Sequence, residues 1–161
     1  MADASNEASE DEWEPRDPAW QEKVRSSFPR QTLLGTLGAR LLTVRPGLVQ
    51  IEMPFSDKLM QQHGFLHSGA YTSIADSAGG YACYSLMPPD SAILTIEFKV
   101  NLLAPGKGQR FVATGRVLKT GRKLFIAELE VVAFDGDKEH KILHGMQTNM
   151  RLPASENLPA G

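Results

Sequence analysis

The sequence predicts an α+β domain in which a six-stranded antiparallel sheet wraps around one long central helix, with a short helix at the N-terminus. Three observations predict it. His67 to Leu86 contains no proline and carries Tyr71, Ile74, Ala78, Tyr81, Ala82 and Ser85 at helical spacing. Two strand-like runs come before that stretch and four come after it. The gaps between the later runs consist of turn residues.

The elements follow in chain order. Pro18 to Phe28 reads as a short helix, with Asp17 as N-cap, Pro18 at its first position and Pro29 as its stop. Gly38 to Val44 and Leu48 to Pro54 read as strands around the turn Arg45-Pro46-Gly47. Phe55 to Leu66 is a loop. The long helix then runs from His67 to Leu86 and stops at Pro88-Pro89. Small residues crowd it, including Ser68, Gly69, Ala70, Gly79 and Gly80. Two adjacent glycines inside a helix cost on the order of 1 kcal/mol each relative to Ala. Such a pair implies close packing against a sheet, room for a ligand, or both. Four strands follow: Ala92 to Leu103, Gln109 to Leu118, Lys123 to Phe134 and Lys141 to Leu152. The third alternates, with Ala127, Leu129, Val131 and Ala133 set against Glu128 and Glu130. Two strands, a long helix and a four-stranded meander is the layout of the hot-dog fold.

Composition bounds the function. A chain of 161 residues, 42% hydrophobic and 22% charged, suits one globular domain. The expected boundaries are an acidic, disordered tail at 1–17, a single domain at 18–153 and a C-terminal tail at 154–161. Seven acidic residues oppose only Arg16 in the first seventeen, a net charge of −6 that leaves +4 for the rest. That mild excess suits an anionic ligand but is too scattered for nucleic acid. No apolar run is long enough to cross a membrane, and the N-terminus lacks the basic-then-apolar pattern of a secretory signal. A cytoplasmic location is expected. Cys83 is the one cysteine and, on the predicted helix, reads as a buried structural thiol.

The chemistry concentrates in Gln61 to Asp76. A Gln, a His and small residues precede the helix, and a lone carboxylate sits well inside it. Nine residues of helix separate His67 from Asp76, a rise of about 13.5 Å and a turn of roughly 900°, which leaves them on opposite faces. They cannot share one site within a protomer, so joint function requires a two-fold interface to which each subunit brings one of them. The amides of His67, Ser68 and Gly69 lie at the helix start, where unpaired N–H groups and the helix dipole suit a polarised carbonyl oxygen. Asp76 then attacks that carbonyl or activates a water, and the Gln61 amide orients one or the other.

Gln61, His67, Ser68, Gly69 and Asp76 together resemble the PaaI-type branch of the hot-dog acyl-CoA thioesterases, over about Leu34 to Leu152. The resemblance implies hydrolysis of acyl-CoA at a dimer interface, commonly in a dimer of dimers, with no cofactor. It assigns the catalytic acid to Asp76, carbonyl polarisation to His67 and the Ser68 amide, and the Asn or Gln position to Gln61. Two departures stand out. The family usually has His-Gly-Gly, and Ser68 replaces the first of those glycines. A hydroxyl that some members carry one turn after the acid is here Gly80. In other members it comes from the next strand, where Thr95 matches best. The turn Lys119-Thr120-Gly121-Arg122-Lys123 matches a family segment that contacts the nucleotide phosphates of CoA. Its cations offer charge-assisted bonds, and Gly121 permits the turn. Lys99 and Asn101 are weaker candidates on a neighbouring strand. The small residues Gly69 and Gly80 leave space for the substrate.

Blander readings stand beside these. A lone Asp in a helix is usually exposed or satisfied by a neighbour, and a basic turn is usually solvated. His63-x3-His67 has zinc-ligand spacing, but Gly64 and the helix start keep the pair off one helical face, so no metal is expected. His140 and His144 share the spacing near a hairpin, where it makes no pair. Trp13 and Trp20 lack the basic groove that nucleic-acid stacking needs. The competing functions are a non-catalytic acyl-CoA-binding dimer and a hot-dog hydratase or dehydratase.

Overall fold

A computed structural model describes residues 13–153 of the chain. Most of the expected N-terminal tail and the whole of 154–161 lie outside the described residues. Helix α1 (Trp20–Ser27) leads through a 3-10 turn (Phe28–Arg30) into a short α2 (Thr32–Thr36). Strands β1 (Arg40–Arg45) and β2 (Leu48–Pro54) form a hairpin, and the long α3 spans Ser68–Tyr84. Strands β3 (Ser91–Leu102), β4 (Arg110–Thr120), β5 (Leu124–Asp135) and β6 (Lys138–Pro153) complete one antiparallel sheet in the order β1-β2-β4-β5-β6-β3. Among the described residues no helix is long and apolar enough to cross a membrane.

Helix α3 lies on one face of the sheet, chiefly over β2, β4 and β5. Its Ala75, Ala78 and Ala82 are fully buried. The approach is close because Gly115 on β4 has no side chain: a Cβ there would come within 2.3 Å of the backbone of Ala78 and Gly79. Ile51, Met53, Phe111, Leu129 and Val131 fill the remaining space. The helix is apolar enough to be wrapped rather than to lie half in water.

Several boundaries differ from the sequence expectation. The first helix starts two residues late. Asp17 is not its N-cap; its carboxylate accepts from the Ala19 N–H at 2.9 Å, and Pro18-Ala19 form a turn. Asp17 and Trp13, both assigned by sequence to the tail, pack on the domain. Asp17 pairs with Lys23 at 2.8 Å, and Trp13 lies over Gly47 in the β1–β2 turn. Gly38 does not begin β1. Its φ of +67° follows the unexpected α2, a place where glycine costs least. Strand β3 ends a residue early and β4 and β5 each begin a residue late, whereas the end of β5 and the start of β6 extend into their turn, leaving Gly136-Asp137 as a two-residue hairpin loop with Gly136 at φ +60°.

The topology puts β3 at an edge. It pairs only with β6, and its other side is unpaired among the described residues. It is twelve residues long and exposes Leu94, Ile96 and Phe98. A long apolar edge of this kind is a template for another strand.

Candidate active site

His67 closes the start of α3 rather than opening it. Its Nδ1 accepts from the Gly69 N–H at 2.9 Å, so the neutral ring carries its proton on Nε2. Its own N–H donates to Leu59 O at 2.8 Å. Of the three amides expected to be available, two are therefore occupied. The Ser68 N–H alone has no protein partner among the described residues. Gln61 folds back within the same loop, where its Oε1 accepts from the His63 N–H at 2.5 Å. That fixes the carbonyl end and leaves the NH2 end without a partner among the described residues. Gln61, His67 and Ser68 line one cleft of about 580 Å³ with Phe65, Tyr71 and Leu103.

Asp76 lines a different cleft, of about 110 Å³, with Gln31, Gly80, Tyr81, Thr95 and Asn149. Its carboxylate is half-buried, and burial pushes its pKa up; the Thr95 hydroxyl, donating to Oδ1 at 2.8 Å, pulls it back down. The β3–β6 register places Thr95 opposite Asn149, so both face α3. The glycine pair divides here. A Cβ on Gly79 would strike Gln147 Oε1 at 2.1 Å and Leu129 Cδ2 at 2.5 Å, so Gly79 serves packing. A Cβ on Gly80 would meet nothing nearer than Asn149 Oδ1 at 4.0 Å, so Gly80 keeps the cleft open.

The expected residues thus form two groups within one protomer: Gln61, His67 and Ser68, and separately Asp76, Gly80 and Thr95. Gly69 stands at the helix start with its amide engaged. Lys99 and Asn101 bond each other at 2.5 Å and pair in register with Met146 and His144, on the sheet face turned away from α3 and both clefts. Lys119, Gly121, Arg122 and Lys123 surround the β4–β5 turn. A Cβ on Gly121 would come within 2.7 Å of Leu124 O, so the tight turn requires glycine. Lys123 O accepts from Arg151 N at 2.7 Å, which puts this turn at the Asp76 end of β6.

Sequence inspection missed the polar residues behind Asp76. Gln147 Nε2 donates to the Asp76 carboxylate, to Asp76 O at 3.1 Å and to Thr95 Oγ1 at 2.9 Å. Asn149 bonds Thr95 and, at 3.5 Å, Cys83 Sγ. Gln31 reaches in from the segment before α2 to Tyr81 OH at 2.9 Å. A signal existed: Gln147 and Asn149 alternate with Met146, Thr148 and Met150, so the polar set of β6 is the inward one. Among the described residues no group of three or more His, Cys, Asp or Glu could hold a metal.

Comparison with known proteins bears on this geometry. The family model described as "Thioesterase superfamily" matches residues 63–140, from the Gln61 loop through α3 to the start of β6. A crystal structure of a thioesterase family protein from Silicibacter pomeroyi is 46% identical, with a TM-score of 0.82, over 83% of this chain and 98% of that one. A putative esterase of Halobacterium salinarum is 30% identical over 68% of this chain and 75% of its own length. The acyl-coenzyme A thioesterase PaaI of Escherichia coli is 27% identical over 71% of this chain and 79% of its own. Fold, helix position and sequence agree: this hot-dog chain belongs to the thioesterase superfamily.

Proposed function

We propose that this thioester hydrolase acts on a fatty acyl- or aryl-CoA thioester, releasing the free acid and CoA, in a cytoplasmic homodimer whose site draws on both protomers. The observation that carries the proposal is a half-buried carboxylate, Asp76, held by a hydroxyl donor at the rim of an open cleft. Asp76 serves as nucleophile or as general base. As base it takes a proton from water while the water oxygen bonds to the thioester carbon. The C–S bond then breaks, and the proton passes to the departing CoA sulfur. Charge builds on the carbonyl oxygen, which the Ser68 N–H at the positive end of α3 and the Gln61 NH2 stabilise. Thr95 orients the carboxylate, and His67 shapes the loop.

Edge geometry supports the dimer. Thr95 and Leu102 mark the two clefts on β3, and seven residues of strand separate them, about 23 Å. Antiparallel pairing of two β3 edges centred near Phe98 brings the Leu102 end of one strand beside Ile93 and Thr95 of its partner. The Gln61 cleft of one protomer then meets the partner's Asp76. The edge is apolar where this pairing needs it, with Phe98 46% exposed. On the outer sheet face Leu94, Met150 and Leu124 form a row across β3, β6 and β5 that suits a dimer of dimers. Lys119, Arg122 and Lys123 supply cations to the CoA phosphates.

Thiol release from a panel of short, long and aromatic acyl-CoAs tests the proposal, with wild type and Asp76→Ala compared. Turnover that collapses in a folded, dimeric Asp76→Ala is expected. Equal turnover by both would refute the role of Asp76. Binding without turnover by wild type would instead indicate an acyl-CoA-binding protein.

A further inference from the structure

Gln147 is a polar side chain in a place where an apolar one belongs. It is 1% exposed, on a strand flanked by β5 and β3, with its side chain between the sheet and α3. Its amide nitrogen faces three oxygens: the Asp76 carboxylate, the Asp76 carbonyl and the Thr95 hydroxyl. Its Oε1 is buried and has no hydrogen-bond partner among the described residues. An unmade bond of this kind is uncommon and costly. The opposite amide orientation would aim Oε1 at a carboxylate and a carbonyl, both acceptors only. The orphaned oxygen is thus the cost of directing both N–H bonds at Asp76 and its neighbours. Gly79 permits it, since any side chain there would occupy the Oε1 position.

We infer that Gln147 is a positioning residue, which holds the Asp76 carboxylate against Thr95 and favours its ionised form. This rests on Asp76 being the acid of the hydrolysis proposed above. A buried carboxylate needs donors to stay charged, and no charged side chain lines its cleft among the described residues. The titratable neighbours are Tyr81 on α3 and Cys83 behind Asn149, both shifted upward by burial and so neutral. Arg151, two residues beyond Asn149, donates to Ser91 at 2.7 Å. From β3 and β6 the polar groups facing Asp76 are Thr95, Gln147 and Asn149, and from the segment before α2 Gln31. Gln147 and Thr95 are the donors bonded to the carboxylate.

The test compares Gln147→Met, of similar length but with no donor, with Gln147→Glu, which sets a second carboxyl against the first. Both are measured as pH profiles of kcat, and the Asp76 carboxyl is titrated by carbon NMR. In Gln147→Met the acid limb and the carboxyl titration are expected to move up by about one pH unit or more, with kcat falling more than KM changes. In Gln147→Glu they move further, because neighbouring carboxyls resist double ionisation. A purely structural Gln147 would lower the unfolding temperature and leave the limb in place. An unmoved Asp76 titration in a folded Gln147→Met overturns the inference alone. Full turnover by Asp76→Asn overturns the assignment of Asp76, and the role of Gln147 with it.

Discussion

Gly79 and Gly80 are adjacent in one helix, yet their alanine variants are expected to change stability in opposite directions. Either replacement removes backbone freedom from the unfolded chain and gains about 1 kcal/mol of helix propensity. At Gly80 little opposes the gain, since the nearest atom to the new Cβ is 4.0 Å away. At Gly79 the Cβ would sit 2.1 Å from Gln147 Oε1 and 2.5 Å from Leu129 Cδ2, both on buried residues. Overpacking of that order costs roughly 1–3 kcal/mol. Net, Gly79→Ala is destabilised by about 1 kcal/mol and Gly80→Ala stabilised by about 1 kcal/mol. For a chain of this size the two unfolding temperatures then differ by roughly 4–8 °C. Chemical and thermal unfolding at a fixed protein concentration measure the gap, the concentration being held so that the proposed dimer contributes equally to both variants.

Activity separates the pair a second way. Gly80→Ala puts a methyl group into the Asp76 cleft and is expected to lower kcat/KM while raising stability. Gly79→Ala displaces the Gln147 amide and is expected to act on kcat and the acid limb. Equal stabilities for the two variants, or a destabilised Gly80→Ala, would refute the division of the pair into a packing glycine and a cleft glycine.

Three further outcomes follow from buried groups. Glu52 is 7% exposed, and although burial works to raise its pKa, hydrogen bonds from Arg40 and Arg110 outweigh that and hold it below the usual carboxylate range. Its contribution is complete above the ordinary Glu pKa and is lost as pH falls through the lowered one, so Glu52→Gln is expected to cost about 2 kcal/mol at neutral pH, with the deficit closing in acid by urea unfolding. Asp76 has the opposite sign: its raised pKa favours the folded state only while the group is protonated, so Asp76→Asn is expected to be more stable than wild type at neutral pH, with the advantage fading as pH falls toward the ordinary Asp range. Burial pushes the Cys83 thiol up to about 12, and its bond from Asn149 only partly offsets this; the native protein is expected to ignore a thiol reagent that labels the urea-unfolded chain at once.

How much of this was legible in the sequence depends on which face of an element faced water. The α3 pattern was clear because Tyr71, Ile74, Ala78, Tyr81 and Ala82 are all buried at the spacing that predicted them. The β5 pattern was clear because Glu128 and Glu130 point outward while Ala127 and Leu129 point in. Segment α2 was missed because five residues around Gly35 carry too little periodicity to announce a helix, and its packing comes from Leu34 alone. Asp17 was misplaced because an acidic run conceals a member that Lys23 on α1 draws into the domain. Lys23 also donates to Met87 O at 2.9 Å, which ties the chain start to the end of α3, a contact that no local pattern records.

Strand β6 is the instructive failure. Its alternation is regular, but the usual assignment of apolar to inside and polar to outside is inverted at the Asp76 end. Met146 is exposed, while Gln147 and Asn149 are buried. Both departures have a cause in the surroundings rather than in the strand. The inner face there must satisfy a half-buried carboxylate, which only donors can do. The outer face carries the Leu94, Met150 and Leu124 row, apolar on a surface that a lone protomer leaves to water. Reversed polarity on both faces of the strand fits a carboxylate held inside and the assembly proposed for the outer face. Along such a strand the residues that break the folding pattern are the ones with a chemical task.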